Sequence, residues 1–147
     1  EQHIFLNGTD VSSEIRREEV GKAASVIAKY PAVRTKLLNL QREIAAKNDV
    51  IMDGRDIGTV VLPQAECKVY LTASSRERAR RRCKELQEKG EVCDLNEIEK
   101  DIIARDEQDM SREIAPLKQA EDATLVDSSD MTISEVVEEI CRLAKGE

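Results

Sequence analysis

From residue 49 onward, short apolar runs alternate with longer, mostly polar stretches that are predicted to be helices, and Gly90 is a natural stop for the first of them. The apolar runs are rich in β-branched residues and are each followed by polar or turn residues; they cover residues 49–53, 67–72 and 123–127. Such runs predict buried strands. The helical stretches lie at about 75–89, 95–112 and 134–145. Strands that alternate with helices predict an α/β fold, with a parallel sheet flanked by helices.

The first 46 residues have a different pattern. Asn7 and Gly8 follow a short apolar run, which predicts a small hairpin. Ser12 or Ser13 can cap a helix that runs towards Tyr30, and Pro31 begins a second helix whose apolar stripe extends to about residue 46. This region therefore reads as two helices that follow a small antiparallel sheet.

Composition narrows the possible functions. The net charge is −7, and the aromatic residues are only Phe5, Tyr30 and Tyr70, with no Trp. A nucleic-acid or anionic-membrane binder normally carries a dominant basic face, and base stacking needs several exposed rings. We therefore expect no nucleic-acid partner and no membrane partner.

The cysteines and the chain ends suggest a cytoplasmic protein. Four cysteines show no C-x-x-C spacing, and His3 is the only histidine. We therefore expect reduced thiols and no protein-bound metal. The chain has neither a long apolar run nor a charged-then-apolar leader, so we expect neither a membrane span nor a secretory signal.

One candidate site follows the first predicted strand. Arg55 and Asp56 come directly after Gly54, at a strand end where α/β sheets usually hold ligands. Arg55 can bind a phosphate with its planar fork, and Asp56 can accept a hydrogen bond from an exocyclic amine. The alternative is a structural ion pair at the strand end.

A second candidate lies on one face of a predicted helix. Arg105, Asp109 and Arg112 have the spacing i, i+4 and i+7, which forms a row of alternating charge. Such a row can bind a ribose hydroxyl and phosphates together. The alternative is a solvated salt-bridge stripe.

A third candidate is a basic helix inside an acidic chain. Arg78, Arg81 and Arg82 fall on one face, so they can converge on a polyphosphate when the segment closes. The alternatives are pairing with Glu77 and Glu85 on a solvated helix, or a small RNA-binding patch.

These motifs, in this order and spacing, resemble bacterial cytidylate kinases, which have the P-loop nucleoside monophosphate kinase fold. The resemblance also includes Gly8 to Arg16 and the segments around Ser25 and Arg34, and it covers essentially all 147 residues. They correspond to about the last two thirds of the family's chain. The six glycines never frame a G-x-x-x-x-G-K-[ST] pattern, so we expect that the P-loop which cradles ATP is absent from this sequence.

The resemblance implies a role for each matching residue. The cytosine-recognition positions are Ser25, Arg34 and Asp56; the sugar positions are Arg105 and Asp109; the α-phosphate positions are Arg55 and Arg112; and the lid arginines that stabilise the transferring phosphoryl group are Arg81 and Arg82. It also implies a CMP-binding insert at 1–47, the C-terminal part of the kinase core at 48–147, and a lid at about 75–95.

The implied activity is phosphoryl transfer from ATP to CMP or dCMP. Mg²⁺ would arrive on the ATP phosphates, with no ligand confidently encoded in these residues. Because the P-loop pattern is absent, we expect no activity from this chain alone. The remaining alternative is a non-catalytic, regulatory CMP-binding module.

Overall fold

The computed structural model describes residues 3–146. They form two compact units, and the chain passes from the first to the second between Val50 and Ile51. The roles predicted for segments 1–47 and 48–147 stay predictions. Within the described residues, no helix combines the length and the apolar character that a membrane span requires.

The first unit begins with the predicted hairpin. Strands β1 (Phe5–Leu6) and β2 (Thr9–Asp10) pair antiparallel. Asn7 has φ 50° and Gly8 has φ 83°, as a two-residue primed turn requires. The hairpin prediction is therefore confirmed.

The helices of the first unit follow the hairpin. The region after Ser13 was expected to be one helix, but it forms a 3₁₀ turn at Glu14–Arg16 and then helix α1 (Glu18–Ile27). Arg17 separates the two pieces because its backbone is extended, with ψ 144°. Helix α2 (Pro31–Ala45) starts with proline at its first turn, as predicted.

The second unit is an α/β assembly, which confirms the predicted fold class. Strand β3 (Val69–Thr72) pairs parallel with β4 (Thr124–Asp127), with Val69 opposite Thr124 and Thr72 opposite Asp127. Helices α3 (Ser75–Glu88) and α4 (Leu95–Met110) lie between them in sequence, and α5 (Ile133–Lys145) follows β4. The most buried apolar side chains among the described residues are Val61, Ala73, Ala79 and Val126.

Local sequence explains where these helices begin. The Ser74 side chain accepts a hydrogen bond from the Glu77 N–H at the start of α3, and the Asp94 carboxylate accepts from Asn96 and Glu97 at the start of α4. Thr132 and Glu135 form a capping box at the start of α5. Helix α4 ends two residues before the predicted end at 112, so Arg112 lies in the following turn.

One predicted strand is wrong. Residues 49–53 form no strand, and Ile51 is 99% exposed. An apolar run becomes a strand only when a neighbouring strand supplies hydrogen bonds, and none of the described strands pairs with this one. An apolar run in the sequence does not by itself show that a neighbouring strand is present to supply those hydrogen bonds.

The expectation of four reduced thiols is also wrong. Cys83 and Cys93 form a disulfide, whereas Cys67 and Cys141 are exposed thiols. The chain reverses after α3 and brings Cys93 back beside the helix. Because the two cysteines are 10 positions apart, a search for C-x-x-C spacing does not find them.

Candidate functional site

The first part of the site is the turn that carries Arg55 and Asp56. Residues 54–56 form a bend, and Ile57–Val61 form a π-helical turn whose last residue is buried. A Cβ atom at Gly54 would lie 3.0 Å from Cγ1 of Ile57, which is tighter than most side-chain contacts. A larger residue at position 54 would therefore displace the Ile57 side chain at the start of the π-helical turn, beside Arg55.

Asp56 begins the π-helical turn. Its carbonyl oxygen accepts hydrogen bonds from the N–H groups of Val60 at 2.8 Å and Val61 at 3.2 Å. Because the backbone of Asp56 is held in this way, its half-buried side chain is attached at a fixed point beside Arg55.

The centre of the site is the buried carboxylate of Asp109, on the last turn of α4. Asp109 is 1% exposed. Its Oδ2 accepts a 2.8 Å hydrogen bond from Nε of Arg55, and its Oδ1 forms an ion pair with Nη2 of Arg112. We call these three residues the Arg55–Asp109–Arg112 cluster.

This cluster is a local positive site in an acidic chain. Two guanidinium groups share one carboxylate, so the cluster has a net charge of +1. The Arg112 side chain is 15% exposed, whereas that of Arg55 is 47% exposed. The buried carboxylate holds Arg55 through Nε, and the Arg55 side chain remains about half exposed. A guanidinium held in this way can still use its Nη groups to bind an anion such as a phosphate.

The turn after α4 closes over Asp109. Ala115 has φ 51°, a left-handed conformation that is uncommon for alanine, and it precedes Pro116. The Leu117 N–H then donates a 2.9 Å hydrogen bond to the Asp109 carbonyl oxygen. Backbone strain of this kind persists where surrounding contacts enforce it, and the Leu117 hydrogen bond is the contact that keeps the turn carrying Arg112 beside α4.

Arg105 lies one turn before Asp109 on α4. Its side chain is exposed, whereas that of Asp109 is buried. In the predicted row of Arg105, Asp109 and Arg112, the first side chain is therefore exposed, whereas the other two form a largely buried ion pair. The predicted contacts of Arg105 and Asp109 with a sugar stay predictions.

A second arginine–carboxylate pair joins the basic helix α3 to α4. Arg78 donates from Nη1 to Oδ1 of Asp106 at 3.0 Å and from Nη2 to Oδ2 at 2.5 Å. Its Nε also donates to the Ala73 carbonyl oxygen at 3.1 Å. The hydrogen bonds from Arg78 lower the pKa of Asp106, although partial burial opposes this shift.

This pair predicts a pH-dependent stability. A carboxyl group whose pKa is lowered by folding stabilises the protein above its unfolded pKa, and this contribution is lost as the pH falls through the lowered value. We expect Asp106→Asn to lower the free energy of unfolding by about 1 to 2 kcal/mol at pH 7. The difference in free energy of unfolding between the original protein and Asp106→Asn should become smaller below about pH 4, where Asp106 becomes protonated. Urea unfolding at several pH values measures it.

Asp101→Asn is the matched control, because Asp101 is an exposed aspartate on the same helix. The Asp101→Asn variant should have nearly the same free energy of unfolding as the original protein at every pH. An Asp106→Asn deficit of the same size at pH 7 and pH 3 would contradict the assigned role of the pair.

The lid arginines of α3 have partners within the chain. Arg81 donates to the Ser128 carbonyl oxygen at 2.5 Å and to Glu77 at 3.2 Å, and Arg82 donates to Glu85 at 2.8 Å. Pairing with Glu77 and Glu85 is the arrangement foreseen for a solvated helix. A role for Arg81 and Arg82 in binding ATP stays a prediction.

Ser25 and Arg34 belong to the first unit. Ser25 lies on α1 and Arg34 on α2, and both are half-buried and take part in interactions within the chain. Their predicted contacts with a cytosine base stay predictions.

Sequence reasoning missed three features of the second unit. Asp106 was not singled out, although it pairs with Arg78 across 28 positions. Ser128, which is 4% exposed, holds Arg81 and was also missed. The third is the Cys83–Cys93 disulfide. These contacts join positions with no shared periodicity, so only the folded chain reveals them.

Potential metal ligands are not clustered in the described part of the chain. No group of three or more His, Cys, Asp or Glu side chains there is arranged to hold a metal ion. Because Mg²⁺ in kinase sites is held mainly by phosphate oxygens and water, its arrival on the ATP phosphates stays a prediction.

Comparison with known proteins gives a consistent family match. A sequence profile described as Cytidylate kinase matches residues 1–146. The cytidylate kinase of Leuconostoc mesenteroides is 52% identical over 145 residues, which cover 99% of this chain and 65% of that protein. Those of Lactobacillus johnsonii and Thermosipho melanesiensis are 50% and 48% identical, each over 97% of this chain. The chain spans 62–66% of the length of these three relatives.

Proposed function

Because the chain belongs to the cytidylate kinase family, we propose that it serves phosphoryl transfer from ATP to CMP or dCMP, giving CDP or dCDP and ADP. We assign to these 147 residues the monophosphate-binding and lid functions of that reaction. The observation that carries the proposal is the Arg55–Asp109–Arg112 cluster, a fixed positive site in a chain of net charge −7.

The cluster binds the α-phosphate of CMP. Arg55, whose side chain is about half exposed, binds the phosphate oxygens through its Nη groups, and Arg112 adds positive charge from a largely buried position. Asp109 keeps both guanidinium groups oriented, so little side-chain freedom remains to be lost when the phosphate arrives. The acceptor oxygen of CMP is thereby held in place.

The remaining substrate contacts follow the family assignment. Arg105 binds the sugar from its exposed position on α4, while Ser25, Arg34 and Asp56 recognise the base. The family assignment also places Asp109 at the sugar; because its carboxylate is buried against Arg55 and Arg112, that contact requires the cluster to open when CMP binds. Cytosine offers an N4 amine beside the N3 and O2 acceptors, so a carboxylate or hydroxyl and a guanidinium are complementary groups. The half-buried position of Asp56 beside Arg55 supports a role for its carboxylate at the N4 amine.

Phosphoryl transfer then needs positioning and charge stabilisation. An oxygen of the CMP α-phosphate attacks the γ-phosphorus of ATP in line, and ADP leaves, with no covalent enzyme intermediate. Arg81 and Arg82 supply positive charge to the transferring phosphoryl group when α3 exchanges its internal partners for ATP phosphates. Mg²⁺ enters with ATP as part of that substrate.

Base choice provides a direct test of the assignment. Asp56→Ala should weaken CMP binding by about 10- to 150-fold, because it removes a charged acceptor worth about 1.5 to 3 kcal/mol. Ser25→Ala should have a smaller effect. Both variants should discriminate less between CMP and UMP, measured by isothermal titration calorimetry.

A matched control is Asp53→Ala, which removes an exposed carboxylate from the same segment. It should retain the CMP preference. An unchanged ratio of CMP to UMP affinity in the Asp56→Ala variant would contradict the base-recognition assignment.

Catalysis is tested by complementation. The chain is mixed with the remaining part of the Leuconostoc mesenteroides cytidylate kinase, and CDP formation from CMP and ATP is measured. We expect CDP to form only when both parts are present. Binding of CMP and of the second part without any CDP would favour the alternative, a non-catalytic CMP-binding module.

A further inference from the structure

The disulfide between Cys83 and Cys93 lies inside the segment proposed as the lid. Cys83 is in the middle of α3, directly after Arg82, and Cys93 directly precedes Asp94, the N-cap of α4. The two Cα atoms are 5.6 Å apart, within the ordinary range for a disulfide. Both residues are half-buried, so small reagents can reach them from solvent.

The turn at the end of α3 creates this proximity. The Glu91 N–H donates to the Leu86 carbonyl oxygen and the Gly90 N–H donates to that of Gln87, while Gly90 has φ 80°. These bonds form a Schellman motif, which reverses the chain. Six residues of helix rise about 9 Å, and about three extended residues return the same distance. Cys93 therefore arrives beside Cys83.

Few other contacts hold the segment between α3 and α4. Residues 89–92 are exposed, and Val92 is 101% exposed. Among the described contacts, this turn is held to α3 by backbone hydrogen bonds at the end of the helix, by the Lys89–Glu85 ion pair and by the disulfide. Segments with exposed backbone and few packed side chains open locally at low free-energy cost. The disulfide is thus placed where one bond controls local opening.

We propose that Cys83 and Cys93 are a thiol–disulfide exchange site that sets the mobility of the lid tip, residues 84–94. The link with a lid rests on the proposed function above; the exchange chemistry does not. The oxidised form restrains the turn between Arg82 and Asp94, whereas the first turn of α4 is held to α3 in both forms by Arg76, which donates to Asn96 and Glu99. The reduced form releases the turn, which allows the end of α3 to move.

The exchange uses a low-molecular-weight disulfide as oxidant. The thiolate of one cysteine attacks that disulfide, forms a mixed disulfide and releases one thiol. The thiolate of the other cysteine then attacks the protein sulfur of the mixed disulfide, which forms the Cys83–Cys93 bond and releases the second thiol. Two protein thiols lose two protons and two electrons, and the oxidant becomes two thiols. A dithiol reductant reverses the reaction by the same steps.

The experiment uses the Cys67→Ser/Cys141→Ser protein, in which only the proposed pair can react. It is equilibrated with oxidised and reduced glutathione in varied ratio, and its thiols are counted by alkylation and mass spectrometry. We expect two thiols in the reduced protein, none in the oxidised protein, and a reversible change between them. Two thiols at every ratio, or a disulfide that dithiothreitol fails to reduce in the folded protein, would overturn the proposal.

Hydrogen exchange measures the consequence for the lid. Backbone amides of residues 89–94 should exchange about 10-fold faster in the reduced protein than in the oxidised protein, while amides of β3 and β4 are unchanged. The Cys83→Ser/Cys93→Ser variant should match the reduced protein under both conditions. Equal exchange rates of residues 89–94 in the two redox states would show that the disulfide does not set the mobility of the lid tip. This comparison keeps Cys83 and Cys93 unchanged, so it does not depend on how a variant folds.

These experiments distinguish a failure of the exchange site from a failure of the proposed function. Thiol counting and hydrogen exchange require no nucleotide. Failure to bind CMP in both redox states would contradict the proposed function and leave the exchange site standing. Normal CMP binding with an inert pair would overturn only the exchange site.

Discussion

Replacing Asp109 with alanine should lower the free energy of unfolding of the second unit by about 3 kcal/mol and abolish measurable CMP binding. Asp109 is 1% exposed and is the shared partner of Arg55 and Arg112. Its removal leaves the largely buried Arg112 guanidinium beside a second positive charge without the carboxylate between them. Urea unfolding followed by circular dichroism measures the stability, and isothermal titration calorimetry measures the binding.

Asp101→Ala makes the same chemical change at an exposed position of the same helix, and it should alter neither quantity appreciably. If Asp109→Ala were as stable as Asp101→Ala, the carboxylate would not organise the cluster. If Asp109→Ala were destabilised but bound CMP with its original affinity, the cluster would be structural only.

Arg55→Ala should weaken CMP binding by about 10- to 150-fold, which corresponds to the loss of about 1.5 to 3 kcal/mol from hydrogen bonds to a charged phosphate. Cytidine has no phosphate, so its affinity should change little. The comparison of CMP with cytidine therefore separates loss of phosphate binding from general damage to the protein. Calorimetry with both ligands gives the two affinities directly.

Arg142→Ala serves as the control for a lost arginine, because Arg142 forms a surface ion pair with Glu139 on α5. It should bind both ligands as the original chain does. Equal losses of CMP and cytidine affinity in Arg55→Ala would mean that Arg55 supports the fold of the site without contacting the phosphate.

The helices and the hairpin were predictable because their determinants are local. Apolar spacing and Pro31 predicted α2, Gly90 marked the end of α3, and Asn7 with Gly8 predicted the turn between β1 and β2. The run at 49–53 failed for a different reason. Whether an apolar run forms a strand depends on hydrogen bonds from another strand, and neither its length nor its β-branched residues contain that information.

The candidate site was predictable in its parts but not in its connections. Helical spacing placed Asp109 and Arg112 within reach of each other. The Arg55–Asp109 hydrogen bond joins residues 54 positions apart, and no periodicity links a turn after residue 53 to the end of α4. Spacing predicts contacts along one element, whereas contacts between elements depend on the packing of the whole unit.

The basic helix shows a second limit of pattern reasoning. Arg78, Arg81 and Arg82 were predicted to share a face from which they could converge on a polyphosphate when the segment closes, and pairing with Glu77 and Glu85 was the alternative. In the structure each bonds to a different group: Arg78 to Asp106, Arg81 to Ser128 and Glu77, and Arg82 to Glu85; convergence on a polyphosphate stays a prediction. Long arginine side chains reach partners well away from their own helical face, so a shared face does not fix a shared ligand.

We infer that these 147 residues carry a CMP-selective monophosphate site. Isothermal titration calorimetry of the chain against CMP, AMP and UMP tests this inference most directly, because it requires neither ATP nor phosphoryl transfer. We expect saturable binding of CMP and clearly weaker binding of AMP and UMP. Equal affinity for the three nucleotides, or no binding of any of them to the folded chain, would contradict it.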